Sequence, residues 1–95
     1  MNDKRLVRSL QSVGMSCFVE YFEYFSIAIP RGDVIEKLKQ VTNYTANSCA
    51  TRTSTSRGII RSELTKEALA LVVGSESPII TNDIKEKAHR WIQKL

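Results

Sequence analysis

The chain has 95 residues, a hydrophobic fraction of 42% and a formal net charge of +4. This length corresponds to one domain and excludes separate catalytic and regulatory domains. No apolar run approaches the roughly 18 residues that span a bilayer, so we expect no membrane segment. The two cysteines, Cys17 and Cys49, lie far apart in apolar surroundings. That setting is typical of free thiols in a reducing compartment, and we expect a cytoplasmic location.

The positive charge is concentrated in the middle third of the chain. Residues 1–30 and residues 67–95 each contain equal numbers of acidic and basic side chains, whereas residues 31–66 contain seven basic and three acidic ones. The whole excess of +4 therefore lies in this third. Localised positive charge is typical of a surface that binds a polyanion, and an ordinary solvated surface is the alternative.

The first third of the chain predicts two helices. Apolar residues recur at helical spacing over residues 3–13, with Asn2 as a cap and Gly14 as the terminator. Residues 16–26 are rich in aromatic side chains, which also favour a strand. A strand would mix polar and apolar residues on both faces, whereas a helix places Phe18, Phe22 and Phe25 together. We therefore predict a helix over 16–26, with Ser16 as a plausible cap.

Pro30, Arg31 and Gly32 break the chain, and Asp33 is expected to begin a third helix that stops near Thr42. Asn43 tolerates the left-handed conformation that a sharp turn requires. Thr45 is a good cap for a helix over 45–63. The Ser/Thr-rich residues 51–58 leave a loop as the alternative, but a loop over 42–58 would be long for so small a domain.

The last third predicts two more helices. One covers an apolar stretch that runs from Leu64 to Val73 and is followed by Gly74. After a loop over 75–78, the last helix begins near Thr81 or Asn82. Its expected buried stripe comprises Ile84, Ala88, Trp91, Ile92 and Leu95. The elements together predict an all-α, single-domain bundle of five or six helices over residues 1–95.

The sequence does not predict catalysis or metal binding. His89 is the only histidine, and neither a CxxC nor an HxxxH spacing occurs. A nucleophile at Cys49 or Ser56 would have only His89 as a conventional base. The four glycines are isolated, so a glycine-rich phosphate loop is not present in the sequence. We therefore expect no enzymatic activity, no metal and no cofactor.

The most informative segment is residues 42–61. It contains three arginines, many short hydroxyl and amide side chains, and no acidic residue. A segment that lies against a phosphate backbone needs fixed positive charge, small hydrogen-bond donors and nothing that repels phosphate. The composition of this segment therefore indicates a function in binding nucleic acid.

The predicted helix 33–41, turn 42–44 and helix 45–63 resemble the helix-turn-helix of small bacterial and phage DNA-binding proteins. Leu38 and Tyr44 stand at apolar packing positions of that motif, and Cys49 stands where it has a small apolar residue. Asn43 replaces the usual glycine of the turn, and Lys39 stands where alanine is common. The resemblance implies a helix-turn-helix core in which the second helix enters the major groove of duplex DNA.

The resemblance also implies roles in DNA binding for several polar residues. Arg52 would bond to guanine and Asn47 to adenine, while the other arginines and Lys37 would hold phosphates. Thr45 would cap the helix and leave free amides for a phosphate. The candidate DNA-contacting residues are Arg31, Lys37, Thr45, Asn47, Ser48, Thr51, Arg52, Thr55, Arg57 and Arg61.

Two functions follow as hypotheses. The first is a double-stranded-DNA-binding module, expected to be a homodimer, that acts as a transcriptional regulator or accessory factor of a phage or mobile element. The alternative is a protein-interaction module, such as a helical adaptor or an antitoxin-like homodimer. It rests on the aromatic cluster of residues 18–25 and the apolar stretch of residues 64–73, because together they can exceed what one small core buries.

Overall fold

A computed structural model describes residues 3–95, and the cap predicted at Asn2 lies outside them. The all-α prediction is confirmed, since none of the described residues lies in a strand. Within residues 3–95 no helix is both long enough and apolar enough to cross a bilayer. The helices are α1 (Asp3–Val13), α2 (Met15–Glu20), α3 (Phe22–Ser26), α4 (Arg31–Val41), α5 (Ala46–Arg61), α6 (Thr65–Val73) and α7 (Asn82–Lys94).

The helix α5 lies at the centre of the bundle, with α1 and α4 packed along it and α3 and α6 against its later part. Its buried face is made of small residues, Cys49, Thr53 and Ser56, followed by Ile59. Small side chains let the larger residues of the neighbouring helices approach closely. Those residues are fully or almost fully buried: Leu6, Leu10 and Val13 on α1, and Val34 and Leu38 on α4.

The prediction of one helix over 16–26 is wrong, and this break explains why the described chain has seven helices. The backbone leaves helical geometry at Tyr21, where φ is −112° and ψ is 18°. Directly after the break, Phe22 meets the ring of Trp91 on α7 edge-on, with 4.8 Å between centroids. Phe18 and Phe25 stay buried on the same side, with 6.4 Å between their centroids.

The helix boundaries near residue 31 also differ from the prediction. α4 begins at Arg31, directly after Pro30, which is its N-cap, and Asp33 lies inside the first turn rather than at its start. Ser16 does not cap α2, whose N-cap is Gly14. At the end of α7, Leu95 was expected in the buried stripe but is 53% exposed. Leu95 follows Lys94, the last residue of α7.

The connection between α4 and α5 does not use a left-handed Asn43. Among the described residues other than glycine, only Glu63 has a positive φ. Thr42 is extended instead, and its Oγ1 donates to the carbonyl of Leu38 at 2.6 Å and accepts from the amide of Tyr44 at 3.3 Å. This side chain supplies the turn that the left-handed residue was expected to supply.

Residues 51–58 are helical, so the Ser/Thr-rich loop does not form. α5 starts at Thr45, whose side chain accepts a hydrogen bond from the amide of Ser48 at 3.1 Å, which confirms the predicted cap. The helix α5 ends at Arg61 rather than at residue 63, the predicted end. The amides of Glu63 and Leu64 then donate to the carbonyls of Ile60 and Ile59. These two bonds form a Schellman motif that has Glu63 at its left-handed position, with a φ of 61°.

A glycine at position 63 should therefore stabilise the fold. Glu63→Gly removes the clash between Cβ and the backbone in the left-handed conformation, and we expect the free energy of unfolding to rise by about 1 kcal/mol in urea denaturation. Glu63→Ala is the matched control, because it removes the same charge but keeps Cβ. Equal stabilities of the two variants would contradict the prediction.

Candidate nucleic-acid interface

One side of α5 faces solvent and carries small polar residues. Asn47, Thr51 and Ser54 are exposed, and their spacing places them on one helical face together with Gly58 and Arg61. We call these five residues the outer face of α5. No aspartate or glutamate occurs from Lys37 to Ser62, so neither this helix nor the connection before it carries an acidic residue.

Two residues of the outer face, Ser54 and Gly58, were not among the predicted contacts. The spacing of Ser54 from Thr51 and Asn47 was the pattern that could have identified it. A Cβ atom at Gly58 would have no neighbour within 4 Å, so no other part of the described chain requires a glycine there. A glycine in a helix interior costs about 1 kcal/mol relative to alanine. Packing within the described residues therefore does not explain why residue 58 is a glycine.

Arg52, the predicted guanine contact, is half-buried and turned towards the protein. Its Nη1 donates to the carbonyl of Val13 at the end of α1, and its Nε donates to the Oγ of Ser48 at 3.0 Å. The guanidinium lies over the ring of Tyr44, 3.8 Å from its centroid. A cation at a helix C-terminus is favourable. Gly14 allows this contact, because a Cβ atom there would lie 3.0 Å from Nη1 of Arg52 and the φ of Gly14 is +89°.

Arg57, predicted to hold a phosphate, also donates to the backbone. Its Nη2 donates to the carbonyls of Ile29 and Ile27 at 2.7 and 3.1 Å, and its Nε donates to the carbonyl of Phe25 at 3.4 Å. These carbonyls belong to the end of α3 and to the connection that follows it. Arg57 therefore holds that connection against α5.

The other residues that were predicted to contact DNA differ in their exposure and in their partners. Arg31 is exposed and donates to the Oγ of Ser54 at 2.7 Å, which places it beside the outer face. Arg61 is exposed, and within residues 3–95 it makes one hydrogen bond, from Nε to the carbonyl of Arg57 at 3.3 Å. Lys37 is exposed and lies 5.7 Å from the ring centroid of Tyr24 on α3. Thr45 caps α5, while Ser48 and Thr55 are half-buried.

The described residues do not form a metal site, since no group of three or more His, Cys, Asp or Glu side chains comes together among them. Both cysteines are buried free thiols. Burial raises the pKa of the Cys17 thiol, although the nearby Arg52 guanidinium acts in the opposite direction. A thiol with a raised pKa stays protonated at neutral pH and is a poor nucleophile.

Comparison with protein-family models, with curated proteins and with solved structures gave no match for this chain.

The inward position of Arg57 predicts a role in stability. Arg57→Lys keeps the charge but loses the planar fork that reaches several carbonyls, and we expect the free energy of unfolding to fall by about 2 kcal/mol. The matched control is Arg61→Lys, on the same helix, for which we expect a change below about 0.5 kcal/mol. Urea denaturation measures both variants. A loss at position 61 as large as that at 57 would contradict this role.

Proposed function

We propose that the protein binds double-stranded DNA through the outer face of α5, in the manner of a helix-turn-helix module. The observation that carries the proposal is an exposed helix face of small polar residues, free of acidic residues, with Arg61 on it and Arg31 beside it. Such a face can approach a duplex closely without repelling its phosphates.

The proposal assigns two kinds of contact. Asn47 and Thr51 lie in the first two turns of α5, the part of a recognition helix that reaches base edges. An asparagine can bond to adenine through both its donor and its acceptor. Arg31 and Arg61 contact phosphates, since both guanidinium groups are exposed. Arg52 and Arg57 position α5, because each donates to a backbone carbonyl of another segment.

Hydrogen bonds to carbonyls do not neutralise the inward arginines. A carbonyl is a dipole and carries no net charge, so Arg52 and Arg57 keep their full positive charge close to the outer face. Charges within about one Debye length, roughly 8–10 Å at physiological ionic strength, still act on a bound polyanion. The inward arginines therefore support DNA binding through their field and fix the helix through their hydrogen bonds.

We propose the alternative, a protein-interaction module, second, because many of the apolar residues that motivated it are buried. The phenylalanines of the aromatic cluster are buried, and so are Ala68, Leu69 and Val72 of the second apolar stretch. Tyr21 and Tyr24 of the cluster, and Leu64, Leu71 and Val73 of the stretch, are half-buried. The homodimer stays part of the proposal, since two copies would present two outer faces to one duplex. The role as a regulator or accessory factor of a mobile element is likewise proposed.

Salt dependence tests the proposal directly. Fluorescence anisotropy of a labelled random-sequence duplex should show affinity that falls about tenfold or more between about 50 and about 200 mM salt, through counterion release. Arg61→Gln should lower affinity on every sequence and reduce the logarithmic salt slope by about one. Arg8→Gln is the matched control, because Arg8 is an exposed arginine on another helix, α1. We expect this variant to keep the wild-type affinity and the wild-type salt slope. No binding at low salt would refute the proposal.

Gly58 provides a second test that separates stability from binding. Gly58→Ala adds a methyl group in open space, so we expect the free energy of unfolding to rise by about 1 kcal/mol. The same methyl group would stand between α5 and the duplex, and we expect affinity to fall about tenfold. Gly32→Ala, which also adds a methyl group in open space, serves as the control on α4. Unchanged affinity of Gly58→Ala would show that DNA does not approach this face.

A further inference from the structure

A cavity of about 370 Å³ lies between α5 and the connection that joins α3 to α4. Its apolar lining comes from Phe25, Ala28, Ile29 and Ile60. This volume is within the range of about 300–1,000 Å³ that is typical of sites for small molecules. An apolar lining of this kind accommodates an aliphatic chain or an aromatic ring.

Three arginines, Arg31, Arg57 and Arg61, each with a guanidinium group, are among the residues that line the same cavity. None of the three makes an ion pair with a carboxylate of the described chain, where the ion pairs found are Lys39–Glu36 and Lys87–Glu20. Three like charges around one cavity repel one another, and an anion between them would relieve that repulsion. The charge of the cavity therefore favours a negatively charged occupant.

Two of these groups are fixed in place before any ligand arrives. The carbonyls of Ile27 and Ile29 hold Nη2 of Arg57, and Ser54 and Ala50 hold Nε and Nη2 of Arg31. Nη1 of each makes no hydrogen bond to the described chain, and Arg61 uses only its Nε. Donors that are already ordered lose less conformational freedom when a ligand binds. The cavity thus combines rigid, incompletely used donors with an apolar lining.

We propose that this cavity binds a small amphipathic carboxylate, with its head at Arg31, Arg57 and Arg61 and its apolar body against Phe25, Ile29 and Ile60. Because Arg31 and Arg61 are also the proposed phosphate contacts, such a ligand competes with DNA for them. This competition rests on the proposed function, whereas binding of the carboxylate does not. The ligand would thereby release the protein from DNA.

NMR of the protein's amide groups tests the binding without DNA. Octanoate should cause saturable shifts at residues 28–31 and 54–61. We expect binding to be about tenfold weaker for 1-octanol, which lacks the charge, and about tenfold weaker for acetate, which lacks the chain. Equal binding of octanoate and 1-octanol, equal binding of octanoate and acetate, or shifts spread over the whole surface would each overturn the proposal.

Two variants locate the site. Arg61→Gln should weaken octanoate binding about tenfold, because it removes one charge-assisted contact, while Arg8→Gln leaves it unchanged. Ala28→Glu places a carboxylate at the exposed edge of the cavity and should abolish octanoate binding while the protein stays folded. Unchanged affinity in either Arg61→Gln or Ala28→Glu would overturn the proposal.

The coupling to DNA is measured separately. Octanoate should displace a labelled duplex from the wild-type protein, whereas 1-octanol and acetate at the same concentration should leave the duplex bound. Octanoate that binds but leaves the duplex bound would overturn the competition. If the protein binds no duplex at all, the proposed function fails, and the titration with octanoate still decides whether the cavity binds a carboxylate.

Discussion

Two guanidinium groups on α5 hold the backbone of two other segments in place. Arg52 donates to the last carbonyl of α1, and Arg57 donates to carbonyls of the connection after α3. Carbonyls at helix ends have no partner within their own helix and must find one elsewhere. Charge-assisted bonds to such groups are among the stronger hydrogen bonds in proteins. These two side chains therefore fix the end of α1 and the connection after α3 against α5.

This arrangement divides α5 into two faces with different tasks. The face that carries Cys49, Arg52 and Thr53 packs against the rest of the protein, through small buried side chains and one inward cation. The outer face is not buried in this way, since Asn47 and Thr51 are exposed. A helix that is anchored along one side presents the other side as a rigid surface. Rigidity matters for recognition because an ordered surface loses little entropy when it binds.

Much of the fold could be predicted from periodicity and end residues, including the cap at Thr45 and the end of α1 at Gly14. The break at Tyr21 could not, because residues 16–26 contain neither glycine nor proline to mark it, and the contact beside it joins Phe22 to the distant Trp91. The turn after α4 was predicted at the right place with the wrong chemistry. Thr42 satisfies the backbone through its side chain, and nothing local favours this over a left-handed Asn43.

The candidate site shows the limit of reasoning from charge alone. Arg52 belongs to a set of positions that includes the buried residues Cys49, Thr53 and Ser56, spaced i, i+3, i+4 and i+7 along one face of α5. Applied to the arginines, this periodicity would have placed Arg52 towards the core. Arg57 differs, since its partners are carbonyls of Ile27 and Ile29 in an irregular connection. No pattern in the sequence reveals where such carbonyls point. An arginine in a basic segment can thus be a structural donor, a surface charge or both, and only its hydrogen-bond partners distinguish these roles.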